Sequence, residues 1–131
     1  MPDQSLENSV REFFDAYLVA FDAIDGARIA QLYHAPTVTM RADESVHCLQ
    51  SRDELRQFFQ RVADTYFAEG YRSGRYRVVQ TIPIGGRSAL VTLDWELLRA
   101  DHSVIRAWRQ SYNLIRHDGG WQIVVSTFHV S

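Results

Sequence analysis

Residues 88–130 read SALVTLDWELLRADHSVIRAWRQSYNLIRHDGGWQIVVSTFHV, an alternation of apolar and polar residues broken by two polar turns. Asp118-Gly119 between apolar runs is the strongest short-range signal for a tight antiparallel hairpin. Closing it pairs His117 with Gly120, and counting outward sets Leu114 against Ile123, Tyr112 against Val125, Gln110 against Thr127 and Trp108 against His129. The earlier turn, Ala100 to Ser103, pairs Arg99 with Val104 and therefore Trp95 with Trp108, Leu93 with Gln110 and Val91 with Tyr112. Successive strand residues point to opposite faces. One face is thus predicted to carry Val91, Leu93, Trp95, Leu97, Trp108, Tyr112, Leu114, Trp121, Ile123 and Val125, with Gln110, Thr127 and His129 as its polar members. The other carries Thr92, Asp94, Glu96, Arg109, Ser111, Asn113, Gln122 and Ser126, with Leu90, Ile105, Val124 and Phe128. A one-residue slip would exchange the two faces.

Upstream, Leu6, Val10, Phe13, Phe14, Tyr17, Leu18 and Phe21 recur at helical spacing, which predicts a long amphipathic helix over Ser5 to Ala23. Asp25 reads as the N-cap of a short second helix, Gly26 to Tyr33, stopped by Pro36. Thr37 to Arg41 is β-rich, and Ser45 to Leu49 forms a second short strand. Ser51 and Glu54 have capping-box spacing ahead of Leu55, Phe58, Phe59, Val62, Tyr66 and Phe67, so a third helix runs to Gly70. Arg75 to Ile82 is the strand that enters the meander. Three helices and a mostly antiparallel sheet imply an α+β layer fold whose helices cover the aromatic sheet face.

The 131 residues suit one domain spanning the chain, and 46% hydrophobic content can fill its core. A net charge of −2 with interspersed signs offers no basic stripe for nucleic acid and no polybasic segment for a membrane. All fourteen basic residues are arginines, which excludes a Schiff-base lysine in this chain. Cys48 is the lone cysteine, too few for an intrachain disulfide or a cysteine zinc site, and it reads as a small core residue. With no leader-like N-terminus and no membrane-length apolar run, a cytoplasmic location is expected. No metal-ligand spacing and no phosphate-binding glycine loop is apparent, so no cofactor is expected.

Tyr17…Asp25-Gly26…Ile29…Leu32-Tyr33…Val38, the capped helix at Ser51 and Asp118-Gly119-Gly120-Trp121-Gln122-Ile123-Val124 resemble the nuclear transport factor 2-like superfamily, in its SnoaL-like and ketosteroid-isomerase-like branch. The resemblance covers nearly the whole chain. It implies a cone-shaped fold: three N-terminal helices packed on a strongly curved, mostly antiparallel sheet, often dimeric, with a cavity inside the cone. It also aligns Tyr17 with the tyrosine that donates to an enolate oxygen in ketosteroid isomerases. Met40 falls where those enzymes carry their catalytic aspartate, and a thioether takes no proton. Gln110, Ser111 and Tyr112 occupy the region of their second, protonated aspartate. Isomerase activity is therefore not transferred.

Tyr17, Met40, Trp95, Trp108, Gln110, Tyr112 and Thr127 are the residues expected to line a small-molecule cavity, since apolar burial supplies affinity and a few placed polar groups fix orientation. The alternative is that Gln110 and Tyr112 are satisfied core polar groups. Tyr17 and His129 are the candidate catalytic groups, His129 because imidazole titrates near neutrality; equally, His129 can be a solvated chain end. Asp94 opposite Arg109 resembles part of the Asp-Arg-Asp arrangement of epoxide hydrolases in this superfamily, or is an outer cross-strand ion pair. Leu90, Ile105, Arg109, Val124 and Phe128 make the outer face half apolar, which predicts a homodimer formed there. Three functions stay open: a domain binding a small apolar or aromatic molecule, a lyase or isomerase acting on a carbonyl compound, and an oligomerising interaction domain without a ligand.

Overall fold

The computed structural model describes residues 4–131. Helix α1 (Gln4–Asp22) buries Leu6, Val10, Phe13, Phe14, Tyr17, Ala20 and Phe21 along one stripe. Helix α2 (Gly26–Ala30) begins at Asp25, whose carboxylate accepts from the Arg28 amide at 3.2 Å. It is shorter than its sequence pattern suggested: Tyr33 opens strand β1 (Tyr33–Met40), yet stays fully buried. Strand β2 (Val46–Leu49) pairs antiparallel with β1. Helix α3 (Arg52–Ala68) is capped by Ser51, which accepts from the Glu54 amide at 3.1 Å, while the Glu54 carboxylate accepts from the Gln50 amide. Its end is marked by Gly70 at φ +109°, a conformation that suits a residue without Cβ. The Arg52 guanidinium donates to the carbonyls of Ala30 and Tyr33, fixing the start of α3 to the α2–β1 corner.

Strands β3 (Ser73–Ile84), β4 (Ser88–Leu98), β5 (Val104–His117) and β6 (Gly120–Phe128) form the meander. Together the six strands make one curved sheet in the order β2-β1-β6-β5-β4-β3, in which only β1 and β6 run parallel. The helices lie against its inner face, and the core joins α1 side chains to Val91, Leu93, Trp95, Tyr112, Leu114 and Ile123. Between β4 and β5 the predicted register holds from Ser88 to Leu97, with Trp95 opposite Trp108 and Asp94 opposite Arg109, but at the turn Val104 pairs with Leu98 rather than with Arg99.

Along β6 it holds only in part. His117 pairs with Gly120 and Leu114 with Ile123, but the next pairs are Asn113 with Val125, Tyr112 with Ser126 and Gln110 with Phe128. Val124 is one residue more than β5 can oppose, and such a bulge reverses the facing of everything beyond it. Ser126 and Phe128 therefore turn inward, each at least nine-tenths buried, whereas Val125, Thr127 and His129 turn outward. The parallel partner follows suit. Thr37 and Thr39 point inward with Ser126, and Met40, opposite Thr127, points away from the core. Cys48 is exposed rather than part of the core, because it pairs with the outward Val38 while its neighbour Leu49 is buried. Ile105 occupies a second bulge, between Leu97–Arg106 and Leu98–Val104, and lies beside Gly70 at the end of α3.

Candidate functional site

Between the helices and the inner sheet face, mostly aromatic side chains from every layer converge. Tyr17 and Phe21 come from α1, Phe59 and Tyr66 from α3, Trp95 and Leu97 from β4, Trp108, Gln110 and Tyr112 from β5, and Phe128 from β6. They surround a narrow cavity of about 30 Å³, room for little more than one water-sized group. Arg41, Tyr66, Trp108 and Phe128 also border a second space, an open vestibule of about 600 Å³ whose remaining wall includes His47, Phe58, Arg61, Val62 and Arg106. Those four residues form the neck between the two.

Stacked rings shape this neck. The indole of Trp108 lies on Phe128 with centroids 5.4 Å apart and planes 13° from parallel. The Arg41 guanidinium sits over the Phe128 ring at 4.7 Å and over Phe58 at 5.5 Å, both within cation–π range. It makes no ion pair among the described residues; it donates to Thr39 Oγ1 at a long 3.4 Å and hydrogen-bonds the neutral Tyr66 hydroxyl. Arg41 continues the inward phase of Thr37 and Thr39, which is why a charged residue reaches the interior edge.

Three tyrosine hydroxyls lie deeper. The hydroxyls of Tyr17 and Tyr33 are 2.7 Å apart, and Trp95 Nε1 donates to the Tyr112 hydroxyl at 2.8 Å. Burial pushes Tyr17 up to about 12, against a lesser opposing pull from its Tyr33 hydrogen bond and from the positive charge of Arg41. Burial likewise holds Tyr33 and Tyr112 well above the ordinary phenol value. All three are neutral donors near pH 7. Trp108 Nε1 donates to Gln110 Oε1 at 2.9 Å. An indole N–H can only donate, so this bond fixes the amide orientation and leaves the Gln110 Nε2 group for the cavity. Neither a carboxylate nor an imidazole lines the inner cavity. Its chemistry is hydrogen-bond donation from neutral phenols, an amide and one guanidinium.

The residues expected at the site divide accordingly. Tyr17, Trp95, Trp108, Gln110 and Tyr112 line the cavity. Thr127 and Met40 do not, because the Val124 bulge turns that end of β6 over and β1 follows it. His129 is carried outward too, where its Nε2 lies 2.7 Å from Ser111 Oγ, and so cannot move a proton inside the cone. Asp94 and Arg109 also face outward: Arg109 bonds both carboxylate oxygens at 2.8 and 3.1 Å, and Arg77 bonds Oδ2 at 2.6 Å. Arg41 and Phe128 were missed. Arg41 followed the misplaced Met40, since an inward Met40 sends its neighbour outward, and nothing in the Val124-Val125 pair announces the bulge that brings Phe128 inside. Among the described residues no three His, Cys, Asp or Glu side chains group to hold a metal, and no helix is long and apolar enough to cross a membrane.

A family model described as NTF2-like protein (DUF6841) matches residues 6–131. The chain belongs to that NTF2-like family. Its architecture recurs in a cystatin-like domain of unknown function from Nostoc punctiforme, with a TM-score of 0.77 at 19% identity over 97% of this chain and 78% of that one. A ketosteroid isomerase-like protein from Erwinia carotovora atroseptica superposes with a TM-score of 0.69 at 20% identity over 92% of each chain. A putative calcium/calmodulin-dependent protein kinase type II association domain from Thiobacillus denitrificans gives 0.72 at 16% identity over 88% and 90%. These likenesses establish a shared fold for the NTF2-like chain, and fold alone does not carry activity. No curated protein matches the sequence.

Proposed function

We propose that this NTF2-like protein binds a small, flat, apolar or aromatic molecule in the vestibule, with one end of the ligand at the neck. The observation that carries the reading is the neck itself. The Trp108–Phe128 stack and Tyr66 form a wall shared by a space large enough for a small molecule and an aromatic cavity behind it. Pockets of a few hundred cubic ångströms with apolar walls and few polar groups are the usual form of small-molecule sites. The narrow inner cavity admits a terminal oxygen rather than a ring, so the ligand body belongs in the vestibule. A lyase or isomerase reading finds donors for a carbonyl oxygen in the inner cavity, where no carboxylate or imidazole lies, while the vestibule wall carries Asp43 and His47, both bonded to Ser45. The test is calorimetric titration with a neutral probe, 2-naphthamide, on the wild type and on Val62→Trp, which fills the vestibule. Saturable binding that is lost in Val62→Trp at unchanged thermal stability is expected; binding indifferent to that substitution would place the ligand elsewhere.

A second contact surface is favoured by a separate observation. Ile82, Leu90, Asn113, Val125, Val38 and Cys48 are successive cross-strand partners and form a largely apolar band across all six strands on the outer face. Self-association through this band into a homodimer accounts for its exposure. It replaces the surface expected from sequence. Phe128 is inside, Ile105 sits in its bulge beside Gly70, Val124 is half buried in the other bulge, and Arg109 is held by Asp94.

A further inference from the structure

The vestibule collects positive charge in a chain that is net negative. Three arginines, Arg41, Arg61 and Arg106, line it against one carboxylate, Asp43. Arg106 is already neutralised by a two-pronged bond to Glu69 at 2.7 and 2.8 Å, and Asp43 is turned to Ser45, accepting from its amide at 2.9 Å and its hydroxyl at 2.6 Å. Arg41 and Arg61 have no carboxylate partner among the described residues. Arg61 is solvated, but Arg41 is half buried against two aromatic rings at the neck, where a charge lacking a counter-charge is costly.

An independent feature points the same way. Gln110 is only 3% exposed, its carbonyl is taken by Trp108, and its amide nitrogen meets no acceptor among the described residues although the side chain lines the cavity. That nitrogen is not sealed within the core, so it is open to an acceptor placed in the cavity. Guanidinium, amide and phenol all donate, and no side chain on the cavity wall requires a donor from the ligand to balance a negative charge.

Resting on the binding function proposed above, we infer that the ligand is an organic carboxylate, its anionic head at the neck beside Arg41 and Gln110 and its flat body on the Trp108–Phe128 wall. A planar guanidinium suits a carboxylate geometrically. One unpaired arginine at the neck, with few further donors and apolar walls, matches a single negative charge better than a phosphate dianion. Arg61 at the rim adds attraction that salt screens.

A matched pair of probes separates this inference from the function beneath it: 2-naphthoate and 2-naphthamide, titrated at pH 7 into the wild type, Arg41→Gln and Arg41→Lys. A charge-assisted hydrogen bond predicts naphthoate tighter by ~10-fold or more in the wild type. Arg41→Gln should bring the two probes to equal affinity, whatever its effect on the affinity they share, and Arg41→Lys should keep part of the preference. Equal affinity of the wild type for both probes would overturn the carboxylate assignment and leave small-molecule binding standing. A preference that survives Arg41→Gln would overturn the role of Arg41. Binding of neither probe would remove both readings.

Discussion

The hydroxyls of Tyr17 on α1 and Tyr33 on β1 lie 2.7 Å apart, out of contact with solvent. Each ring is held independently, Tyr17 against Trp95 and Tyr33 stacked on Phe59 at 4.3 Å, so the contact ties the first helix to the sheet through rigid groups. Tyr17→Phe strands a buried Tyr33 hydroxyl and is expected to cost about 1–2 kcal/mol. Tyr17→Phe combined with Tyr33→Phe should cost less than the sum of the two, because no hydroxyl is then left unpaired between them. Urea unfolding of the four proteins reads this directly, and strict additivity would mean that the two hydroxyls act separately.

What the sequence showed of this arrangement depended on how far each turn could be counted. Asp118-Gly119 sets the pairing of His117 with Gly120 and of Leu114 with Ile123, and the alternation carries Trp95, Trp108, Gln110 and Tyr112 to the helix side. The count fails at Val124, where no glycine or proline marks the extra residue and two β-branched valines read as ordinary strand. Thr127, His129 and Phe128 were consequently assigned to the wrong faces, and Met40 with them, since a parallel partner is placed only by tertiary pairing. Arg41 was overlooked for the same reason: in the Thr37–Arg41 strand an inward Met40 sends Arg41 outward, and only the pairing of β1 with β6 turns Thr37, Thr39 and Arg41 to the interior.

Asp94 supplies a pH-dependent term on the outer face. Hydrogen bonds from Arg109 first, and from Arg77, hold its carboxyl down to about 2, below its unfolded value near 3.9. For a lowered folded pKa the stabilisation is present above the unfolded value and lost as pH falls through the folded one. The groups are largely exposed, so the contribution is about 1 kcal/mol or less. Asp94→Asn should therefore be slightly less stable than wild type above pH ~4, with the difference shrinking as pH falls and vanishing below pH ~2. Parallel guanidinium-free unfolding series across that range, by urea, would test it; a constant offset at every pH would show that the ion pairs contribute nothing.

The band formed by Ile82, Leu90, Val125 and Val38 crosses the sheet two rows away from the Asp94–Arg109 pair, with the Thr92–Ser111 pair between them. These four side chains are each 36–39% exposed, open enough to meet a second copy yet anchored by their strands. Two such faces related by a two-fold axis would bring band onto band. Leu90→Glu with Val125→Glu places like charges on both copies of that contact while leaving the inner face untouched. The expected result is a shift in light scattering from twice the chain mass to the chain mass, with the far-ultraviolet circular dichroism unchanged. Phe128→Glu is the informative contrast: because Phe128 lies inside against Trp108, that substitution should lower the unfolding midpoint rather than release an otherwise intact monomer. A double variant that remains dimeric would show that the apolar band is not the contact surface.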